Sequence, residues 1–123
     1  MVCLLVCVQN GSFSGETEIY ASLDFMHDIV KVIRGFPASP DDTRVIELGE
    51  FEAKSTLGGV RICFSCANGK GDPLIRVFIR NGNLEHALLV ISGVEPNDID
   101  LFVKELEGLR ISDGNNATLF YTT

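Results

Sequence analysis

The chain has no tryptophan and only two histidines among its 123 residues, and its aromatic packing rests mainly on eight phenylalanines. It also lacks a basic excess. Ten basic against seventeen acidic residues leave a formal charge of −7. Non-specific nucleic-acid binding needs a basic surface to displace counterions, and anionic membranes ask for the same, so neither is expected as a partner. No run approaches the ~18 apolar residues of a membrane span. The apolar start, Met1 to Val8, has no positively charged n-region and is at the short limit for the apolar stretch of a leader. It leads directly into Gln9-Asn10-Gly11 without a small-residue cleavage site, so a secretory leader is not expected. A cytoplasmic protein is the expectation, and the tripeptides Asn10-Gly11-Ser12 and Asn116-Ala117-Thr118 then read as chance glycosylation matches. There is no internal repeat, low-complexity tract or domain boundary.

Cysteine is sparse: Cys3, Cys7, Cys63 and Cys66, all within apolar runs. Cys63-Phe64-Ser65-Cys66 has the C-x-x-C spacing, and Cys3 and Cys7 would complete four thiolates for zinc. On an extended segment, however, a separation of three places two sulfurs on opposite faces. No glycine or proline turns the chain between Cys63 and Cys66. Cys3 and Cys7 share a face but stand about 13 Å apart at strand rise. A redox pair of the thioredoxin type would open a helix, which this segment does not. Reduced cysteines filling a core are therefore expected, with no metal and no cofactor.

With 46% hydrophobic and 22% charged residues, the composition is that of one globular domain. A domain of this length can bury roughly two thirds of its unfolded surface. Four turn signals organise it: Asn10-Gly11, Asn68-Gly69, Asn81-Gly82 and Asp113-Gly114. Such dipeptides tolerate the positive φ of tight hairpins. The unbroken apolar run Val2–Val8 reads as a strand covered on both faces or central in a sheet. Glu16–Ala21 alternates, with Thr17, Ile19 and Ala21 on one face. Val60–Cys66 places Val60, Ile62, Phe64 and Cys66 together. Leu74–Arg80 sets Ile75, Val77 and Ile79 opposite Arg76, Phe78 and Arg80. Leu84–Ser92 continues this meander, Arg44–Phe51 is a further strand, and Thr118–Thr122 a last one.

Two segments switch to helical period. Leu23, Met26, Ile29, Val30 and Ile33 form one stripe, with Ser22 as candidate N-cap and Gly35 and Pro37 ending the helix. Pro96–Glu107 is the second, with stripe Ile99, Phe102, Val103 and Leu106, and Gly108 closing it. The expected fold is α+β: a mainly antiparallel sheet of about six to seven strands (β-β-α-β-β-β-β-α-β) with two helices packed on one face.

Little chemistry is spelled out. His27 sits on the first helix away from its apolar stripe, and His86 follows Glu85 in a strand. Single histidines near acids do not make a catalytic pair. Gly69-Lys70-Gly71-Asp72 joins two strands and lacks the helix N-terminus of a phosphate loop. The acidic residues carry more. Asp41 and Asp42 lie in the loop after the first helix, while Glu95, Asp98, Asp100, Glu105 and Glu107 lie at or on the second, offset only by Lys104. An acidic face of this kind would speed docking of a basic partner, although a solvated helix face has the same composition.

The segment Ile33-Arg34-Gly35-Phe36-Pro37, the strand Ile46-Glu47-Leu48-Gly49, the meander, and Val94-Glu95-Pro96 leading into a helix with Ile99, Phe102, Val103, Leu106 and Leu109 together resemble a group of small bacterial proteins of unknown function. That group includes WapI-like immunity proteins of contact-toxin systems. The similarity spans about residues 15 to 110 and transfers no functional residue. Together with the −7 charge and the absence of a catalytic constellation, it leads to the expectation of a non-enzymatic binding protein, an immunity-type inhibitor of a basic toxin. Two other readings stand beside it. One is a small enzyme or ligand-binding domain with a pocket between sheet and helix, near His86, Lys70 or the Asp41-Asp42 loop. The other is a homo-oligomer formed through an edge strand.

Overall fold

The computed structural model describes residues 2–22, 24–49, 58–82 and 85–108. Eight elements follow one another: β1 (Val2–Gln9), β2 (Ser14–Ala21), α1 (Phe25–Ile33), β3 (Arg44–Gly49), β4 (Gly59–Ala67), β5 (Asp72–Asn81), β6 (Glu85–Ile91) and α2 (Pro96–Gly108). Their order is the expected one. The strand anticipated at Thr118–Thr122 and the end of the one anticipated to Phe51 lie outside the described residues.

The expectation of one sheet is corrected. The strands form two antiparallel sheets, β1-β2 and β3-β4-β5-β6. The cause is visible in the inner face of β2, which crosses the four-stranded sheet rather than pairing along it. Gly15 lies against Ile79 and Leu89, Thr17 lies against Gly58 and bonds Arg80, and Ile19 lies against Gly49. Successive inward residues of β2 thus step from β6 and β5, past the start of β4, to β3, so β2 crosses the strands of that sheet instead of running along them.

In the four-stranded sheet, register sets three inward rows. Arg44, Phe64, Ile75 and Ile91 form one, Ile46, Ile62, Val77 and Leu89 the second, and Leu48, Val60, Ile79 and Ala87 the third. Most of these apolar side chains join Ile29, Val30 and Ile33 of α1 and Ile99, Val103 and Leu106 of α2 in one core. Phe36 and Phe64 meet edge to face there, with ring centroids 5.7 Å apart, the geometry favoured by the ring quadrupole.

Three local expectations are also revised. The residue at the N-cap of α1 is Asp24 rather than Ser22, because the Ser22 carbonyl accepts the Phe25 N–H in a preceding turn. β1 is not covered on both faces: Leu4, Val6 and Val8 pack on the core while Cys3, Leu5 and Cys7 are exposed. Cysteine fills the core only in part: Cys66 packs against it, whereas Cys3 and Cys7 are exposed and Cys63 is half-buried. β1 flanks a two-stranded sheet, so its outward residues have no layer above them among the described residues.

Candidate functional site

The seven acidic residues are separated by the fold. α2 has 13 residues, about 20 Å at helical rise, and Glu95 and Asp98 lie at its start. The Asp98 carboxylate accepts the Glu95 N–H at 2.8 Å, one half of a capping box. At the other end Glu107 pairs with Arg34 at 2.8 Å. Between them, Asp98 and Glu105, and likewise Asp100 and Glu107, are seven residues apart. At 3.6 residues per turn each pair lies along one flank, and the exposed Leu101 and Lys104 run between the two. The expected acidic helix face is thus two acidic flanks divided by a mixed ridge.

Asp42 serves the loop. Its carboxylate accepts bonds from Arg44 Nη2 at 2.7 Å and Arg44 Nε at 3.3 Å, and from the Ala38 N–H at 2.8 Å. Those bonds hold its carboxyl below the ordinary carboxylate range. Arg44 Nη1 also donates to the carbonyls of Val32 (3.0 Å) and Arg34 (2.7 Å), closing the C-terminus of α1, and the guanidinium lies 5.5 Å from the Phe36 ring centre. Asp42 and Glu107 therefore do reach the same end of the molecule, each already matched by an arginine. Asp41, Glu95, Asp100 and Glu105 are exposed.

Two of the thiols, Cys7 and Cys66, are held towards the protonated form. Burial, then the charges of Asp42, Asp72 and Asp41, push the Cys66 thiol up, and its Sγ donates to the Ser39 carbonyl at 3.7 Å. Burial and Glu16 raise Cys7 likewise. Among the described residues, no three His, Cys, Asp or Glu side chains gather as metal ligands would. No helix there is long and apolar enough to cross a membrane.

A groove of about 310 Å³ lies between β2, α1 and β3. Its apolar wall comes from Phe25, Ile29, Val32 and Leu48, and its carboxylates are Asp28 and Glu47. His86, Lys70, Asp41 and Asp42 do not line it. The two histidines are exposed, His27 on α1 and His86 on β6 opposite Arg80.

The feature that the search for charged residues passed over is the outward face of the four-stranded sheet. Two adjacent rows cross it: Val45, Cys63, Arg76 and Val90, then Glu47, Arg61, Phe78 and Leu88. Val45, Phe78, Leu88 and Val90 are exposed large apolar side chains, Leu88 at 51%. Arg61 Nε donates to Glu47 Oε1 at 2.8 Å. Period-two alternation did announce this face, because Phe78 sits between Val77 and Ile79, which are buried.

No protein-family model, curated protein or solved structure matches the chain.

Proposed function

We propose that this chain is a non-enzymatic protein-binding module that docks its partner on the outward face of the four-stranded sheet. The observation that carries the reading is the pair of adjacent rows bearing Val45, Phe78, Leu88 and Val90 in the open. Neighbouring apolar side chains left exposed on a regular surface are what a docking face presents to its partner. Phe78, Leu88 and Val90 adjoin one another on β5 and β6, while Arg76 and the Arg61–Glu47 pair lie between them and Val45 and would supply polar contacts within the face.

The partner we favour is a basic protein, in the manner of an immunity-type inhibitor bound to a basic toxin. The charge of −7 supports it, because a field of that sign draws a cationic partner from a distance. Asp41, Glu95, Asp100 and Glu105 then act in steering, while the sheet face makes the contact. The test is affinity capture of a basic protein from the source cell, repeated with Leu88→Asp and with Asp100→Asn/Glu105→Gln. The sheet variant is expected to abolish capture, and the helix variant to weaken it mainly at low salt. Undiminished capture by Leu88→Asp would remove the sheet face from the reading.

A second reading, a small-ligand site, is favoured by the groove beside Phe25 and Leu48, whose volume is at the lower limit of ligand pockets (~300 Å³). Filling it with Val32→Phe would block a ligand and leave protein capture intact.

A further inference from the structure

Among the described residues, no strand pairs with the outer edge of β1 from Cys3 to Cys7. The Asn10 N–H donates to the Phe13 carbonyl at 3.0 Å across the β1–β2 turn, which sets the phase of the ladder. Bonded and non-bonded pairs alternate along an antiparallel hairpin, so Val8, Val6 and Leu4 turn their backbone groups towards β2. Cys7, Leu5 and Cys3 turn theirs to the other edge, which no strand among the described residues occupies. Edge strands are usually guarded by charge, proline or a bulge. β1 reads VCLLVCVQ and is the one strand of the six described that carries no charged residue. Leu5, at its middle, is 61% exposed.

We infer that β1 pairs with β1 of a second copy, antiparallel and centred on Leu5. Sidedness restricts the register. Directly opposed residues of an antiparallel pair share a face, so the core-facing Leu4, Val6 and Val8 must oppose core-facing residues, and exposed residues must oppose exposed ones. A two-fold axis at Leu5 satisfies this over Cys3–Cys7. It sets Leu5 beside Leu5 of the second copy and Cys3 opposite Cys7 of the second copy, twice. Bonded antiparallel pairs have Cα atoms about 5.5 Å apart, inside the Cα span of a disulfide, and Cβ atoms towards the far end of ~4.5–5.5 Å, so bridging draws the two Cβ atoms together by about 1 Å.

The edge carries no charge for an acidic or basic strand to pair with, and a second β1 is equally uncharged. The contact itself is uncharged, and the nearest acidic residue in the central row is Glu18, which pairs with Leu5. Across the joined sheet the two Glu18 side chains stand three strand spacings apart, about 14 Å. That exceeds the ~8 Å screening length at physiological salt, so the −7 charge of each copy does not forbid the pairing. A single strand pair is a small contact beside the ~1,200 Å² of stable interfaces. The dimer is therefore concentration-dependent until it is bridged. Bridging needs a disulfide oxidant. With oxidised glutathione, Cys3 and the opposing Cys7 lose two protons and two electrons to form one S–S bond, and the glutathione disulfide leaves as two thiols.

The test treats the full chain with oxidised glutathione and maps the bridges by mass spectrometry after non-reducing electrophoresis. Wild type is expected to yield a dimer linked Cys3 to Cys7. Within one copy these residues are about 13 Å apart and cannot bridge. Cys3→Ser alone and Cys7→Ser alone should give no β1-linked dimer, whereas an equal mixture of the two should. Leu5→Lys places two cations at the axis and should abolish linkage while leaving the circular dichroism unchanged. Dimers from either single variant linked through its remaining β1 cysteine would overturn the register. A wild type that stays monomeric by sedimentation at high concentration and forms no Cys3–Cys7 bridge would overturn the interface.

Discussion

The Thr17 hydroxyl donates a 2.9 Å hydrogen bond to the Arg80 carbonyl, and both residues are buried. This bond ties the β1-β2 hairpin to the middle of the four-stranded sheet. Beside it, Gly58 comes so close to Thr17 and the Glu18 carbonyl that a Cβ there would collide with both.

Two substitutions test that crossing. Thr17→Val keeps the shape and removes the donor, at an expected cost of about 1–2 kcal/mol. Gly58→Ala forces a methyl against backbone, at about 1–3 kcal/mol. Because both act on one contact, the double variant should fall short of their sum, as urea unfolding would report.

Arg44 joins Asp42, the end of α1 and Phe36, so Arg44→Ala should cost about 2 kcal/mol or more. The pH dependence has a defined sign. The Asp42 carboxyl is lowered from its ordinary 3.8, so its contribution is present above that value and lost as pH falls through the lower, folded one. Asp42→Asn should be less stable than wild type at neutral pH, and the gap should narrow below about pH 4, as acid unfolding midpoints would show.

Phe64 is 2% exposed and meets Phe36 edge to face. Phe64→Ala should cost about 3–5 kcal/mol, whereas Phe78→Ala, at 38% exposure on the next strand, should cost clearly less by the same unfolding measurement.

Asp98 and Asp100 separate capping from surface charge. Asp98→Ala frees the Glu95 N–H and should cost about 1 kcal/mol. Asp100→Asn, on an exposed flank, should change stability by less than about 0.5 kcal/mol.

Glu16 holds the Cys7 thiol at 3.6 Å and helps to raise it. Glu16→Gln should therefore increase the thiolate fraction at mildly alkaline pH and speed alkylation of Cys7, followed by mass spectrometry of the modified peptide.

Several features could be seen without the fold. The hairpin turns, the alternation of Ile75, Val77 and Ile79, and the stripe of Ile99, Val103 and Leu106 are patterns within a few residues, and they predict elements and faces. The acidic residues were legible only as charge. Nothing near Asp42 in the chain says that Arg44 would clasp it and cap α1 together, and nothing near Glu107 points to Arg34, 73 residues away at the C-cap of α1.

What the sequence determined by itself was the order of strands and helices, because turn chemistry and side-chain period act locally. Only the tertiary structure decided that the strands divide into two crossed sheets. The contacts responsible join Thr17 to Arg80 and Asn10 to Val90, 63 and 80 residues apart. The same crossing decided which apolar faces were left open, on β1 and on the outward side of β3–β6. Periodicity defines the two faces of a strand, but only the placement of the other layers determines which of them is covered.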